Sequence, residues 1–212
     1  VSGLSTWKEA PTKIQWASST DQIKNIDSEL PNVGLKGDYY VAPMYMSEEY
    51  APFEGSVMAI DPAGRGADRT GFAVVKMLHG ILYATACGGL IGGYSDSTLE
   101  ELSTIAKHQN VNYVVLESNF GDGMATALLK PIMARIHPCS IEEGRHSKQK
   151  ELRIIDTLEP VMNQHRLVVS QELIKDDFKL DLDHQLFKQM TRITKDKGSI
   201  RHDDQLDALS IA

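Results

Sequence analysis

At 212 residues, 42% apolar and 24% charged, the chain carries material for one hydrophobic core of roughly 150 residues with extensions. No stretch approaches the roughly 18 uninterrupted apolar residues of a membrane-spanning helix, and VSGLSTWKEA lacks a basic-then-apolar signal pattern, so no membrane partner is expected and the cytoplasm is the default location. The formal net charge of −7 speaks against a uniformly basic surface but not against local basic patches; two distant cysteines, Cys87 and Cys139, exclude a disulfide framework or a cysteine zinc site and read as buried thiols.

Residues 1–54 hold Trp7 and Trp16 and are punctuated by Pro11, Pro31, Pro43 and Pro52 without sustained periodicity, so they read as an irregular arm or connector. Residues 55–212 read as the folded domain. VMAID (57–61) is a buried strand that stops at Asp61 before the turn-rich PAGRGADRTG. FAVVKM (72–77) and ILYATA (81–86) flank His79 and Gly80 as a hairpin.

STLEELSTIAKHQN then has helical spacing, a Ser/Thr cap candidate and acids in its first turn. NYVVLES (112–118) returns to strand, and GMATALLKPIMARI is a helix with a kink or break expected at Pro131. PCSIEEG reads as a strand, KQKELRIIDTLEPVMNQ as a helix, HRLVVS as a strand, and the tail from residue 171 as mainly helical. The pattern is α/β, a mixed sheet of roughly five or six strands that starts antiparallel and continues through parallel crossovers. A first residue other than Met and a last stretch, LDALSIA, without a helix stop raise the expectation of a piece of a longer protein.

Three places concentrate carboxylates. Asp61 and Glu117 each end an apolar strand, where open α/β sheets gather their ligands; taken singly, each also reads as a turn cap or the partner of a nearby base. In RHDDQLDALS (201–210), a helix would put Asp203 and Asp207 one turn apart on one face, Asp204 on the flank, and Leu206 and Leu209 inward. Such crowding needs positive charge nearby: a helix N-terminus, a basic side chain or a divalent ion.

Two basic stretches interrupt the acidic average. Arg145, His146, Lys148, Lys150 and Arg153 form the first; Lys188, Arg192, Lys195, Lys197 and Arg201 form the second, which runs into the acidic cluster. They read either as solvated faces or as sequence-independent phosphate contacts. Arg65, between Gly64 and Gly66, either approaches a phosphate or only helps make the turn. GRGADR is not a complete dinucleotide fingerprint, because Arg69 stands where a glycine belongs, and no GxxxxGK[ST] occurs.

The ordered set IDPAGRGADRTGFAVV, VLESNFGDG and HDDQLDAL resembles the nuclease domain of the large terminase subunit of tailed bacteriophages, of the short-tailed type, within the ribonuclease H-like and resolvase superfamily. The resemblance spans about residues 57–212. It implies a ribonuclease H-like mixed sheet flanked by helices and a DNA endonuclease that cuts concatemeric viral DNA during packaging, in the host cytoplasm. By position, Asp61, Glu117 and Asp204 match the catalytic metal ligands, with Asp203 beside them; Asp207 matches a further acid, expected to support the ligands rather than bind metal. Two Mg²⁺ or Mn²⁺ ions roughly 4 Å apart would activate water and stabilise the leaving oxygen, and hard ions of this kind take carboxylate oxygens.

Double-stranded DNA, an absent N-terminal ATPase motor domain, the portal and the small terminase subunit are the implied partners, and Arg65, Arg145, Lys148, Lys150, Arg153, Lys195, Lys197 and Arg201 the expected phosphate contacts. A junction resolvase or recombinase on the same fold, and a non-catalytic DNA-binding or motor-docking module, are the competing readings. An actin-like phosphotransferase half would need a second phosphate-binding half, for which the chain is too short.

Overall fold

The polypeptide enters through four short strands, β1 (Glu9–Pro11), β2 (Ile14–Gln15), β3 (Tyr45–Met46) and β4 (Tyr50–Pro52), paired antiparallel as β1 with β4 and β2 with β3. This is a computed structural model that describes residues 8–17, 25–63, 69–117, 123–145, 147–200 and 202–212. Trp7, Gly64, Arg65, Gly66, His146 and Arg201 lie outside the described residues.

The main sheet follows. β5 (Gly55–Asp61), β6 (Thr70–Leu78) and β7 (Ile81–Leu90) run antiparallel in sequence. His79 and Gly80 join β6 to β7 with positive φ values of 50° and 77°, the two-residue turn whose twist suits a hairpin. α1 (Asp96–His108) is capped by Ser95, whose hydroxyl accepts from the Thr98 amide at 3.4 Å. β8 (Tyr113–Glu117), α2 (Met124–Ile136), β9 (Ser140–Gly144), α3 (Lys150–Asn163) and β10 (Leu167–Val169) complete the crossovers. α4 (Gln171–Asp177), a 3₁₀ turn over Leu182–His184, α5 (Leu186–Arg192) and α6 (Asp204–Ile211) end the chain. The strand order is β10-β7-β6-β5-β8-β9, parallel at both flanks and antiparallel through β5–β7, as the α/β pattern predicts.

α2 is unbroken at Pro131. The residue lies on the exposed side of the helix, where water can satisfy the carbonyl that the missing N–H abandons. β7 runs past the expected ILYATA through Cys87, Gly88 and Gly89. The lack of a side chain at Gly88 makes room for Phe72, since a Cβ there would lie 2.9 Å from the ring.

Alternation along the strands divides the core into two layers. Met58, Ile60, Phe72, Val74, Val114 and Leu116 face α1 and α2, whereas Ala73, Val75 and Ala84 face Ile154 and Leu158 of α3 and Leu206, Ala208 and Leu209 of α6. α6 reaches the sheet at one point of very close approach. A Cβ on Gly71 would lie 2.3 Å from the Asp204 carbonyl oxygen and 2.6 Å from its carbonyl carbon, so helix backbone occupies the space of a side chain. Gly71 pairs with Asp61 on one side and Gly89 on the other.

Gly71→Ala is therefore expected to push the first turn of α6 off the sheet and to lower stability by roughly 1–3 kcal/mol, the usual range for overpacking. Gly55→Ala, whose Cβ would meet nothing within 4 Å, is the comparison. Equal denaturant midpoints for the two variants would contradict this packing.

Candidate metal centre

β5 and β8 are parallel neighbours with Ile60 opposite Leu116. Their final residues, Asp61 and Glu117, therefore sit side by side at the carboxyl end of the sheet. Because Met58, Ile60, Val114 and Leu116 face α1 and α2, alternation sends both acids to the opposite face, toward α3 and α6. There Asp207, fully buried on α6, meets them: one carboxylate oxygen from each of Asp61, Glu117 and Asp207 lies within 4.8 Å of the others.

Two cations from α3 enter the same space. Lys150 Nζ lies 3.2 Å from Asp61 Oδ2, 2.9 Å from Asp203 Oδ1 and 3.0 Å from Asp207 Oδ2. Arg153 donates through Nη1 to Glu117 Oε1 at 3.0 Å and through Nη2 to Asp207 Oδ1. Asp203 stands at the N-cap position of α6 but makes no side-chain cap; its carboxylate is turned to Lys150 instead. The N-terminal end of the α6 dipole adds further positive potential beside these acids.

Four carboxylates around two cations leave a formal charge of −2. The titration behaviour follows from that surplus. Burial pushes the Asp61 carboxyl up to about 8, Asp207 and Glu117 add to the rise, and Lys150 only partly offsets it. Burial likewise raises Asp207 to about 6, with Glu117 adding and Lys150 and Arg153 opposing. For Glu117 burial also acts upward, but Arg153, aided by Lys150 and the neighbouring Asp61, holds the carboxyl below its ordinary value. Lys150 is raised, because the attraction of Asp61, Asp207 and Asp203 overcomes its desolvation. An isolated ion pair would not raise both Asp61 and Lys150. A cluster with more acids than bases does, by retaining a proton among the acids.

The donors suit a hard divalent ion. The group is oxygen-only, and Asp207 Oδ2 is buried without a hydrogen bond. Lys150 Nζ, 3.0 Å from that oxygen, is ion-paired to it and occupies the place that a metal cation would take. The ring of His202, next to Asp203, packs against His184 at 4.6 Å, and no histidine or cysteine belongs to the group among the described residues.

The expected site residues distribute unevenly. Asp61 and Glu117 come together. Asp207 joins them, whereas Asp204 puts its backbone against Gly71 and lies outside the group. Asp203 reaches the centre through Lys150. Lys150 and Arg153, read from sequence as phosphate contacts, are held by the acids, with side chains 34% and 10% exposed. Their spacing of three residues on α3, which puts both on one helix face, was the available signal for this role.

Arg145 and Lys148 are exposed on the approach to α3, and Lys195 and Lys197 on the loop before α6. That loop is tied to the start of α3. Gln149 Nε2 donates to the Lys195 carbonyl at 3.1 Å, and the Gly198 amide donates to Glu151 Oε1.

The family model described as Terminase Bacteriophage T7, Ribonuclease H-like domain, matches residues 60–167. The chain is 42% identical over 219 residues to the large terminase subunit of Enterobacteria phage T3, an alignment that covers all of this chain and 37% of that protein. Among solved structures, a manganese-soaked, inhibitor-bound human cytomegalovirus terminase nuclease domain aligns with a TM-score of 0.56 at 15% identity, over 75% of this chain and 81% of that one. The large terminase nuclease from thermophilic phage G20c aligns with a TM-score of 0.52 at 16% identity, over 74% and 80%. These two likenesses establish a shared fold. The sequence matches carry the kinship: the chain belongs to the terminase family, as its ribonuclease H-like domain.

Proposed function

We propose that the chain is a metal-dependent DNA endonuclease that cuts concatemeric viral DNA during packaging, with two Mg²⁺ or Mn²⁺ ions held by Asp61, Glu117 and Asp207. The observation that carries this reading is the convergence of half-buried Asp61 with buried Glu117 and Asp207 at the ends of β5 and β8 and on α6. Bound divalent ions would lower the pKa of a coordinated water and stabilise charge on the leaving oxygen. Asp61, which stands beside Glu117 at the strand ends, shares a group with Asp207 and accepts from Lys150 at 3.2 Å, is the acid best situated to be shared between ions. Asp203 orients from the rim, through the end of α6.

Lys150 has to withdraw from the three carboxylates it touches before an ion can use them. Its first position on α3 and partly exposed side chain allow that movement without unwinding the helix. Arg145, Lys148, Lys195 and Lys197, exposed around the start of α3, would take DNA phosphates, a contact that positions a strand without reading its sequence. Residues 1–54 would connect this domain, residues 55–212, to an ATPase motor. The chain spans 37% of the length of its phage T3 relative, which leaves room for such a motor in a longer protein of the same organisation. Portal and small terminase subunit would be the further partners, in the host cytoplasm.

Nicking of supercoiled DNA in Mn²⁺ ranks the acids. Asp61→Asn, Glu117→Gln and Asp207→Asn are expected to lose at least about a hundredfold in rate, Asp203→Asn roughly ten- to a hundredfold, and Asp204→Asn least. An inactive Asp204→Asn beside a parent-like Asp207→Asn would overturn the ligand set, and nicking that survives excess chelator would overturn metal dependence. In DNA binding, Lys195→Ala and Lys197→Ala should each flatten the dependence of log affinity on log salt by about one unit per lost phosphate contact. An unchanged slope would return both lysines to the role of solvated surface.

A further inference from the structure

Arg153 differs from Lys150 in what it holds and in how freely it can leave. Its guanidinium is almost sealed, at 10% side-chain exposure, against carboxylates exposed by 4% at Glu117 and 0% at Asp207. One oxygen of each acid, Glu117 Oε1 and Asp207 Oδ1, is engaged by its two terminal nitrogens. The other Asp207 oxygen, Oδ2, points to the space that Lys150 Nζ occupies among Asp61, Asp203 and Asp207.

We infer that Arg153 is a positioning residue of the metal centre: it stays in place when ions bind, and by holding Glu117 Oε1 and Asp207 Oδ1 it fixes both carboxylates and leaves Asp207 Oδ2 directed at the ions. The inference rests on the metal reading above. Lys150 carries a compact charge on a flexible stem and is one-third exposed, so it can swing out. Arg153 lies one turn further along α3, next to Ile154, which is 1% exposed in the core against the sheet. Its planar fork matches two separate carboxylates as an ammonium cannot. Withdrawing it would strand two buried charges.

The two cations therefore act on ion binding with opposite sign. Coulomb repulsion alone would make loss of either cation tighten binding of a dication. Loss of a scaffold weakens it. Mn²⁺ binding, read by calorimetry and by electron paramagnetic resonance without DNA, separates these cases, together with the rise in melting temperature on adding Mn²⁺.

Lys150→Met is expected to bind Mn²⁺ at least as tightly as the parent. Arg153→Met is expected to bind about tenfold or more weakly, as for lost partners of metal ligands, and to gain less in melting temperature. Arg153→Lys, which keeps the charge but cannot bridge, should fall between. Parent-like or tighter Mn²⁺ binding by Arg153→Met, with or without a lower melting temperature in chelator, would overturn the inference. If Arg153→Met does not fold, parent-like binding by Arg153→Lys overturns it equally. A parent that binds no Mn²⁺ would bring down the metal reading itself, and this inference with it.

Discussion

The feature on which the rest of this structure turns is an excess of buried and half-buried negative charge at the carboxyl end of the sheet. Asp61, Glu117, Asp203 and Asp207 share two cations, Lys150 and Arg153. Carboxylates this close, in a medium of low polarisability, repel one another strongly unless positive charge is supplied. The protein supplies part of it through α3 and through the start of α6. It leaves the remainder open. That residual deficit makes the same few atoms costly for the fold and gives them a potential that favours further positive charge.

The fold exists, at this end, to hold the deficit in place. Parallel pairing of β5 and β8 in register sets Asp61 beside Glu117. Strand alternation commits both to the face covered by α3 and α6. Close approach of α6 at Gly71 then brings Asp207 within reach, and Leu206 and Leu209 in the core fix the rotation of that helix. Each element is tied to the next by packing rather than by the acids themselves, which would not hold it. The loop that carries Lys195 and Lys197 is fastened to the start of α3 by Gln149 and Glu151. The backbone that carries these exposed cations is thus held at the start of α3.

Much of this was legible in the sequence, for reasons that differ by element. Apolar runs that stop at an acid disclosed the ends of β5 and β8, because a strand buried on both faces leaves little choice of residue until it emerges. The turn at His79 and Gly80, the cap at Ser95 and the helical spacing of α1 to α3 are local signals and were readable as such. The glycine-rich end of β7 was not, since Cys87, Gly88 and Gly89 have no strand preference and pair there only because β6 offers an edge and Phe72 needs the space.

At α6 the spacing of Asp203 and Asp207 on one face was informative, but which face meets the strands depends on where the helix docks. Positional resemblance points to Asp204, while the docking at Gly71 brings the Asp207 carboxylate to Asp61 and Glu117. The partners of Lys150 and Arg153 stand 89 and 54 positions away in the chain, at Asp61 and Asp207. A run of basic residues looks the same in sequence whether its charges face solvent or a buried acid. Only the tertiary fold distinguishes them.

The central claim, that the buried acids form an ion-binding centre with Asp207 as its third ligand, is tested most directly by anomalous diffraction from crystals of the protein soaked in Mn²⁺. The account predicts anomalous peaks bounded by Asp61, Glu117 and Asp207, with Lys150 swung away from them and Arg153 still joined to Glu117 and Asp207. Peaks at Asp204 with Asp207 uninvolved, or an acid cluster that keeps Lys150 in its centre at saturating Mn²⁺, would contradict it.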